Sequence, residues 1–328
     1  MSALWTQRST AAAPSAPSAP QAARRAPPDA RLAGGDCGWL VCEAAAIAPP
    51  GAAVLATVSA AWRAGRLTAV LGPNGAGKST LLGVLTGQHA PRSGRVWMDG
   101  EAVPPTTPRA ACALARRRAV MLQESPVAFD FTVQEVVELG RYPHRLHPSA
   151  HEAAIVQQAM AATGVQHLAQ RGIQSLSGGE KARAHLARAL AQVWEPAPCG
   201  RPRWLLLDEP TAALDLAHQH AVLALLRERA EQQGLGVVVV LHDLNLALRY
   251  AHDAALLAGG TCRSGPVGEV LTPEAIAQAW GVRARVVLGE GGVRQYLFAA
   301  GAGGHGDAAV ALLGQAMDAG AMSCTPCR

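Results

Sequence analysis

Short aliphatic runs alternate along the chain with longer segments in which apolar residues recur at helical spacing. The apolar runs predict buried strands at residues 67–71, 204–207 and 237–241. The helical patterns that follow them predict helices at residues 78–85, 216–229 and 244–250. Continuous apolar strands that alternate with helices are typical of a mostly parallel sheet covered on both faces. We therefore expect an α/β fold, present once because no internal repeat is found.

The two ends of the chain lack this alternation. Residues 1–36 are rich in Ala, Pro, Ser and Arg, a composition that cannot bury enough apolar surface to offset the loss of chain entropy. We expect them to form a disordered extension. Residues 291–328 are rich in Gly and Ala and are expected to be a tail, which leaves residues 37–290 as the predicted domain.

Composition narrows the class of protein. Only three Phe and three Tyr are present, so the core is expected to be aliphatic, and no apolar run approaches the roughly 18 residues of a membrane-spanning helix. The chain is therefore expected to be soluble or peripheral. The net charge is +5 and its densest cluster, residues 116–118, is short, so a nucleic-acid partner is not expected. Seven scattered cysteines favour reduced thiols in a cytoplasm.

A glycine-rich loop lies between the first predicted strand and its helix, and it matches the phosphate-loop pattern G-x-x-x-x-G-K-[ST]. Its residues are Gly72, Pro73, Asn74, Gly75, Ala76, Gly77, Lys78, Ser79 and Thr80. The glycines let backbone N–H groups turn inward around phosphates, and the helix N-terminus adds partial positive charge. Lys78 is predicted to reach the β and γ phosphates, and the Ser79 hydroxyl to ligate Mg²⁺. The loop predicts a nucleoside triphosphate site.

Two acidic residues follow the apolar run 205–207 at the expected end of a buried strand. Ligands of open α/β folds bind at this edge of the sheet. Asp208 is predicted to hold the Mg²⁺ shell and Glu209 to polarise an attacking water. The alternative is that these acids only face solvent.

A second glycine-opened helix begins at Leu-Ser-Gly-Gly-Glu, residues 176–180. Ser177 and Glu180 have the spacing of a capping box that opens a helix running to Gln192. Gly178 and Gly179 would weaken that helix by up to about 1 kcal/mol each relative to Ala, which indicates that the backbone approaches another group closely. A capped helix N-terminus of this kind predicts a second phosphate site.

These three motifs in this order resemble the ATP-binding cassette (ABC) family over about residues 40–281, and Leu-Ser-Gly-Gly-Glu is similar to its signature sequence. The resemblance implies a P-loop NTPase cassette with a mostly parallel RecA-like core sheet and a helical signature subdomain at about residues 105–190. It also implies ATP and Mg²⁺ as cofactors. In the implied head-to-tail homodimer, Ser177 and Gly179 of one subunit touch the γ-phosphate held by Lys78 of the other.

Three further residues fall on family positions. Gln123 matches the glutamine that contacts Mg²⁺ and links to the permease. Asp215 matches the aspartate loop between subunits, and His242, directly after the predicted strand 237–241, matches the switch histidine.

The chain departs from the family pattern at two places within the cassette. Lys181 stands where the signature is usually followed by Gln. The family often supplies an adenine-stacking aromatic near residues 47–50, whereas the nearest aromatic residue here is Trp39.

Two classes of cassette compete, a transport engine and an ATPase acting on chromatin, DNA repair or ribosomes. The chain has one cassette and no sustained heptads, and residues 123–177 resemble the compact helical insert that docks the permease in importers. The resemblance therefore implies two transmembrane permease subunits and a peripheral location at the cytoplasmic face of the inner membrane.

Two segments narrow the expected substrate. Residues 139–144, Leu-Gly-Arg-Tyr-Pro-His, look like the group that imports iron siderophores, vitamin B12 and haem. Residues 189–220 are similar to the haem-import ATPase subunits in particular, which implies a periplasmic or lipoprotein haem-binding protein as an indirect partner. Import of ferric siderophore or vitamin B12 is the alternative.

Overall fold

The computed structural model describes residues 37–103, 108–122, 130–197 and 199–300. The predictions for Gln123, for the extension 1–36 and for residues 301–328 lie outside these ranges. The strands are β1 (Trp39–Ile47), β2 (Ala56–Arg63), β3 (Leu67–Leu71), β4 (Arg95–Met98), β5 (Glu101–Ala102), β6 (Arg118–Met121), β7 (Trp204–Asp208), β8 (Gly236–Val240), β9 (Asp253–Ala258), β10 (Thr261–Pro266), β11 (Val282–Leu288) and β12 (Arg294–Ala300).

The α-helices are α1 (Lys78–Leu85), α2 (Pro108–Ala115), α3 (Val133–Glu138), α4 (Glu152–Ala162), α5 (Gly178–Gln192), α6 (Leu216–Gln233), α7 (Leu244–Tyr250), α8 (Val267–Val270) and α9 (Pro273–Trp280). Short 3₁₀ helices lie at Leu139–His144, Gln166–Leu168, Ile173–Ser175 and Glu290–Gly292. The three predicted strands are confirmed as β3, β7 and β8, and the three predicted helices as α1, α6 and α7. No helix in the described ranges is both long and apolar enough to cross a membrane.

Ten strands form one sheet in the order β5-β4-β1-β2-β10-β9-β3-β8-β7-β6. The five strands from β9 to β6 run parallel to one another, as predicted. On the other side, β1 pairs antiparallel with β2 and β4, and β9 pairs antiparallel with β10. The apolar runs did not predict this extension, because strands such as β2 alternate buried and exposed residues. In the parallel part β3, β8 and β7 are adjacent, so the loops after them meet at one edge.

Helices cover both faces of the parallel strands. Leu205, Leu207 and Val239 lie in the core that includes residues of α5, α6 and α7. Leu206 and Val238 lie on the opposite face, with residues of α1 and the first strands. Alternate residues of each strand therefore enter different cores, which explains why the strands are apolar throughout.

A third core holds α3 and α4 against α5 and forms the helical subdomain. Val136, Ile155 and Met160 are buried in it. The predicted start of this subdomain at about residue 105 is too early, because β6 belongs to the main sheet. Ala119 and Met121 of β6 pair with β7 and are buried in the main core.

The predicted end of the domain at residue 290 is also wrong. Residues 294–300 form β12, which pairs antiparallel with β11 along its length. Tyr296 of β12 is 3% exposed and lies in the same core as β3 and β7. The folded unit therefore includes this C-terminal hairpin. The sequence analysis assigned its second strand to a tail because the surrounding residues are rich in Gly and Ala.

Candidate nucleotide site

The phosphate loop and the two acidic residues lie at the carboxyl edge of the parallel strands. The loop 72–77 follows β3, and His242 follows β8. Asp208 is the last residue of β7, and Glu209 comes directly after it. Because β8 lies between β3 and β7, these groups are neighbours.

Glycine is required at both ends of the phosphate loop. Gly72 has φ +152°, and a Cβ built on it would lie 2.3 Å from the Leu257 carbonyl oxygen. Gly77 is the N-cap of α1 with φ +99°, in the left-handed region, and no side chain caps the helix there. The first turn of α1 therefore presents backbone N–H groups without a competing acceptor from its own cap.

Lys78 is buried and folds back over the loop. Its Nζ donates to the carbonyl oxygens of Gly72 at 2.9 Å and Pro73 at 3.1 Å. Burial lowers the pKa of Lys78, and the nearby carboxylates of Glu209 and Asp208 oppose that shift. The ammonium group is thus held between the loop and the acids.

Asp208 is buried at the end of β7, and its Oδ1 has no hydrogen-bond partner in the described part of the chain. Burial raises its pKa, and a hydrogen bond with the Ser79 side chain opposes this. A buried carboxylate oxygen without a partner is unfavourable unless a ligand or water satisfies it. A carboxylate and a hydroxyl held together are oxygen ligands of the kind that Mg²⁺ prefers, so the residues fit this ion.

Within the described residues, no group of three or more His, Cys, Asp or Glu side chains could hold a metal ion. Mg²⁺ at nucleotide sites usually takes one or two protein ligands together with phosphate oxygens and water. Ser79 and Asp208 would supply that number. The third predicted ligand, Gln123, lies outside the described residues.

Glu209 has a left-handed backbone with φ +49°, which is costly for a residue with a side chain. Its carboxylate contacts the Nε2 of His242 directly. The Glu209 side chain is 13% exposed and the His242 side chain 49% exposed. The structure therefore brings the predicted base and the predicted switch histidine together, with the histidine facing solvent.

The remaining predicted loop residues line the rim of the site. Asn74 and Gly75 are exposed, and Pro73, Ala76 and Thr80 are half-buried. The Ala76 N–H donates to the Pro73 oxygen at 3.2 Å, which closes a tight turn.

The signature segment forms the predicted capping box. Ser177 is the N-cap of α5, its Oγ accepts from the Glu180 N–H at 3.3 Å, and the Glu180 carboxylate accepts from the Ser177 N–H at 2.8 Å. The hydrogen bonds that the Glu180 carboxylate accepts from the Ser177 N–H and hydroxyl lower the pKa of Glu180. Among the described residues, no hydrogen bond or ion pair joins Ser177, Gly178 or Gly179 to the phosphate loop of the same chain.

At one of the two signature positions, a contact within the chain explains why glycine is needed, and the sequence analysis did not predict this contact. A Cβ on Gly179 would lie 3.0 Å from the Ala213 carbonyl oxygen, tighter than ordinary contacts, whereas one on Gly178 would only reach the Ala213 side chain at 3.8 Å. The close approach inferred from the glycines is therefore present at Gly179, but its partner is the loop that leads to Asp215. Gly178 faces outward.

Asp215 is the N-cap of α6. Its carboxylate accepts from the His218 N–H at 2.9 Å and lies 2.8 Å from the His218 Nδ1. Its side chain is 67% exposed. Within residues that the structure describes, no hydrogen bond or ion pair joins Asp215 to the phosphate loop, so a role at the nucleotide would need a second subunit.

The sequence missed the apolar wall of the phosphate loop. A Cβ on Gly77 would lie 3.1 Å from the Ile47 Cδ1 and 3.4 Å from the Leu55 Cβ. Trp39 begins β1, eight residues before Ile47, and a strand rises roughly 3.3 Å per residue, so its ring is far from the loop. Aliphatic residues flank the site where the family often has an aromatic, and the buried end of β1 was the only available signal.

Comparisons with known proteins agree with this geometry. The sequence model of the ABC transporter family matches residues 55–212. The chain is 51% identical over 225 residues to a protein of Gloeobacter violaceus named Hemin import ATP-binding protein HmuV, covering 68% of this chain and 80% of that protein. A protein of the same name from Burkholderia pseudomallei is 45% identical over 260 residues, covering 75% of this chain and 94% of that protein.

Two solved structures share the fold. An inward-facing ABC transporter described as metal-chelate type has a TM-score of 0.64 and 27% identity, and the match covers 80% of this chain and 97% of that chain. The dimeric structure of MJ0796, a bacterial ABC transporter cassette, has a TM-score of 0.59 and 25% identity, with 70% and 98% covered. The phosphate loop, the paired acids and the signature helix are thus those of an ATP-hydrolysing cassette, and the chain belongs to the ABC transporter family.

Proposed function

We propose that this chain is the ATPase subunit of a haem importer, working as a homodimer with two membrane permease subunits at the cytoplasmic face of the inner membrane. The observation that supports haem as the substrate is the high sequence identity to two proteins named for hemin import. Haem would be delivered by a periplasmic or lipoprotein binding protein and would cross through the permease. This cassette would contribute only ATP binding and hydrolysis, which drive the transport.

ATP would bind at the phosphate loop of one subunit. Backbone N–H groups of the loop 72–80, in which Pro73 alone has none, and the Lys78 ammonium would hold its phosphates, while Ser79 and Asp208, with Gln123, would hold Mg²⁺. When bound, Mg²⁺ neutralises charge on the phosphate oxygens. The unpartnered oxygen of buried Asp208 supports this role, because a cation there would satisfy it.

Hydrolysis would use the pair at the ends of β7 and β8. Glu209 would accept the proton of the attacking water, and His242, in contact with its carboxylate, would orient it and face the γ-phosphate. Ser177 and Gly179 of the second subunit, together with its Asp215 loop, would complete the site. The dimeric state of the MJ0796 cassette supports this arrangement.

The segment 139–146 is the proposed permease contact. Leu139, Tyr142 and Leu146 are exposed large hydrophobic residues of this segment. Arg141 anchors the segment through two bonds to the Glu152 carboxylate, at 2.7 and 2.8 Å. An apolar patch on a firmly anchored segment suits a protein partner.

The test is uptake of labelled haem and of a labelled ferric siderophore in a strain that lacks this gene. Cells should fail to grow with haem as sole iron source and still grow on iron salts. The wild-type gene should restore growth, and Lys78→Ala should not. Siderophore uptake should be unaffected.

Ferric siderophore or vitamin B12 import is the second candidate, favoured by the likeness to a metal-chelate type transporter. Loss of siderophore uptake with intact haem uptake in the deletion strain would establish it in place of haem. The ATPase mechanism would be unchanged.

A further inference from the structure

The C-terminal hairpin, strands β11 and β12, is tied to the helix that follows His242. Asn245, in the first turn of α7, accepts from the Tyr296 N–H through its Oδ1 at 2.7 Å. Its Nδ2 donates to the Tyr296 carbonyl oxygen at 3.2 Å. Both backbone groups of Tyr296 are thus satisfied by one side-chain amide on the free edge of β12, as a neighbouring strand would satisfy them.

Tyr296 fixes the hairpin to the body of the protein. Its ring is buried in the main core, and its hydroxyl donates to the Leu271 carbonyl oxygen at 2.5 Å. Leu271 is itself fully buried. The Tyr296 backbone is therefore fixed in position, and Asn245 is hydrogen-bonded to it.

The predicted switch histidine, His242, lies directly before the first turn of α7. The Asp243 carboxylate caps the helix by accepting from the Asn245 and Leu246 N–H groups, at 2.7 and 3.0 Å. His242 precedes this cap directly, and its half-exposed side chain reaches Glu209 from a loop. A seven-residue helix is not stable on its own, so external contacts must fix the orientation of its first turn.

We propose that Asn245 is a positioning residue for ATP hydrolysis: its amide, held on the Tyr296 backbone, fixes the start of α7 and so keeps His242 against Glu209. The inference rests on the proposed roles of Glu209 and His242. An amide suits this position because it offers one donor and one acceptor at once. The C-terminal hairpin, which composition assigns to a tail, is on this account part of the support of the active site.

The test compares Asn245→Ala, Asn245→Asp and Leu297→Ala in the full-length protein, with His242→Ala in parallel. Asn245→Ala should lower kcat for ATP about tenfold and leave KM within about twofold, because a displacement near 1 Å can cost up to about 100-fold in rate while the phosphate loop is untouched. Asn245→Asp, which keeps the acceptor but turns an oxygen toward the Tyr296 carbonyl, should fall to a similar level. Leu297→Ala, an exposed neighbour on β12, should match the wild type.

Melting temperatures are measured for each variant, and turnover is assayed well below them. A wild-type kcat in both Asn245 variants beside an inactive His242→Ala would overturn the inference, even if both Asn245 variants melt earlier. Full turnover by His242→Ala would instead remove the proposed role of His242. Should Asn245→Ala not fold, Asn245→Asp, which differs by one atom type, decides the question.

Discussion

The phosphate loop and the signature segment both open a helix with glycine, but their polar groups are balanced in opposite ways. At the phosphate loop, Gly77 leaves α1 without a side-chain cap, Lys78 is buried, and Asp208 has an oxygen without a partner in the described residues. At the signature segment, Ser177 and Glu180 satisfy each other in an exposed capping box.

This difference assigns different tasks to the two regions. An unsatisfied, partly buried polar site gains from a bound nucleotide and metal ion, so the phosphate loop should bind them without help. At the exposed start of α5, the capping groups already have hydrogen-bond partners, so this helix end alone should bind a ligand weakly. The signature segment should therefore act only when a second chain carries the nucleotide to it.

The largest expected effect is at the phosphate-loop half. Glu209→Gln removes the proposed base and keeps the phosphate-binding groups, so ATP should bind normally while kcat falls by about 100-fold or more. Steady-state phosphate release and binding of a fluorescent nucleotide measure the two quantities. Glu228→Gln, an exposed acid on α6, is the control. Turnover at a tenth of wild type would remove Glu209 from this role.

At the signature segment, too, nucleotide binding and turnover should separate, but for a steric reason. Ser177→Arg places a bulky cation where the opposite subunit's phosphate must approach, so nucleotide affinity should persist while turnover is lost. Ser177→Ala is the matched control, because it loses the cap, worth about 1 kcal/mol, without adding bulk. It should retain more turnover than Ser177→Arg. Equal activity of Ser177→Arg and the wild type would contradict a shared site.

A smaller effect concerns the buried part of the signature helix. Burial, with Arg188 and Lys181 nearby, lowers the pKa of His185 to about 4. Between pH 6.5 and about 4 the unfolded chain binds a proton that the folded chain does not, so stability should fall as pH falls through this window. His185→Leu should reduce the drop in melting temperature between pH 7 and 5 by about 3 °C. The exposed His147→Leu should leave it unchanged.

The smallest expected effect is at the N-terminus. Deletion of residues 2–34 should change neither turnover nor melting temperature, because a Pro- and Ala-rich segment contributes little apolar burial. A clear fall in either quantity would show that this segment packs on the cassette.

Local signals in the sequence predicted the parallel core well. The bounds predicted for β3, α1 and α7 agree with the structure, because apolar runs ended by Gly or polar residues define them without reference to the rest of the chain. Strands β6 and β9 of the parallel part, the antiparallel strands beside it and β12 were not predicted. Tyr296 of β12 contacts Asn245 and Leu271, which are distant in sequence, so no local pattern announces it.

The same distinction holds at the site. The phosphate loop, the acids and the capping box follow from short motifs and lie where predicted. The contact of Gly179 with the Ala213 oxygen and the apolar wall of Ile47 and Leu55 depend on tertiary packing. Motif spacing alone could not supply them.

The central claim is that each nucleotide site is shared between two chains, and the most direct test is the molar mass of Glu209→Gln in solution with Mg²⁺ and ATP. Light scattering after size exclusion should give twice the mass of the chain with ATP and the mass of one chain without it. The double variant Glu209→Gln with Ser177→Arg should remain monomeric under both conditions. ATP-dependent dimers of the double variant equal to those of Glu209→Gln, or none with either protein, would contradict the account.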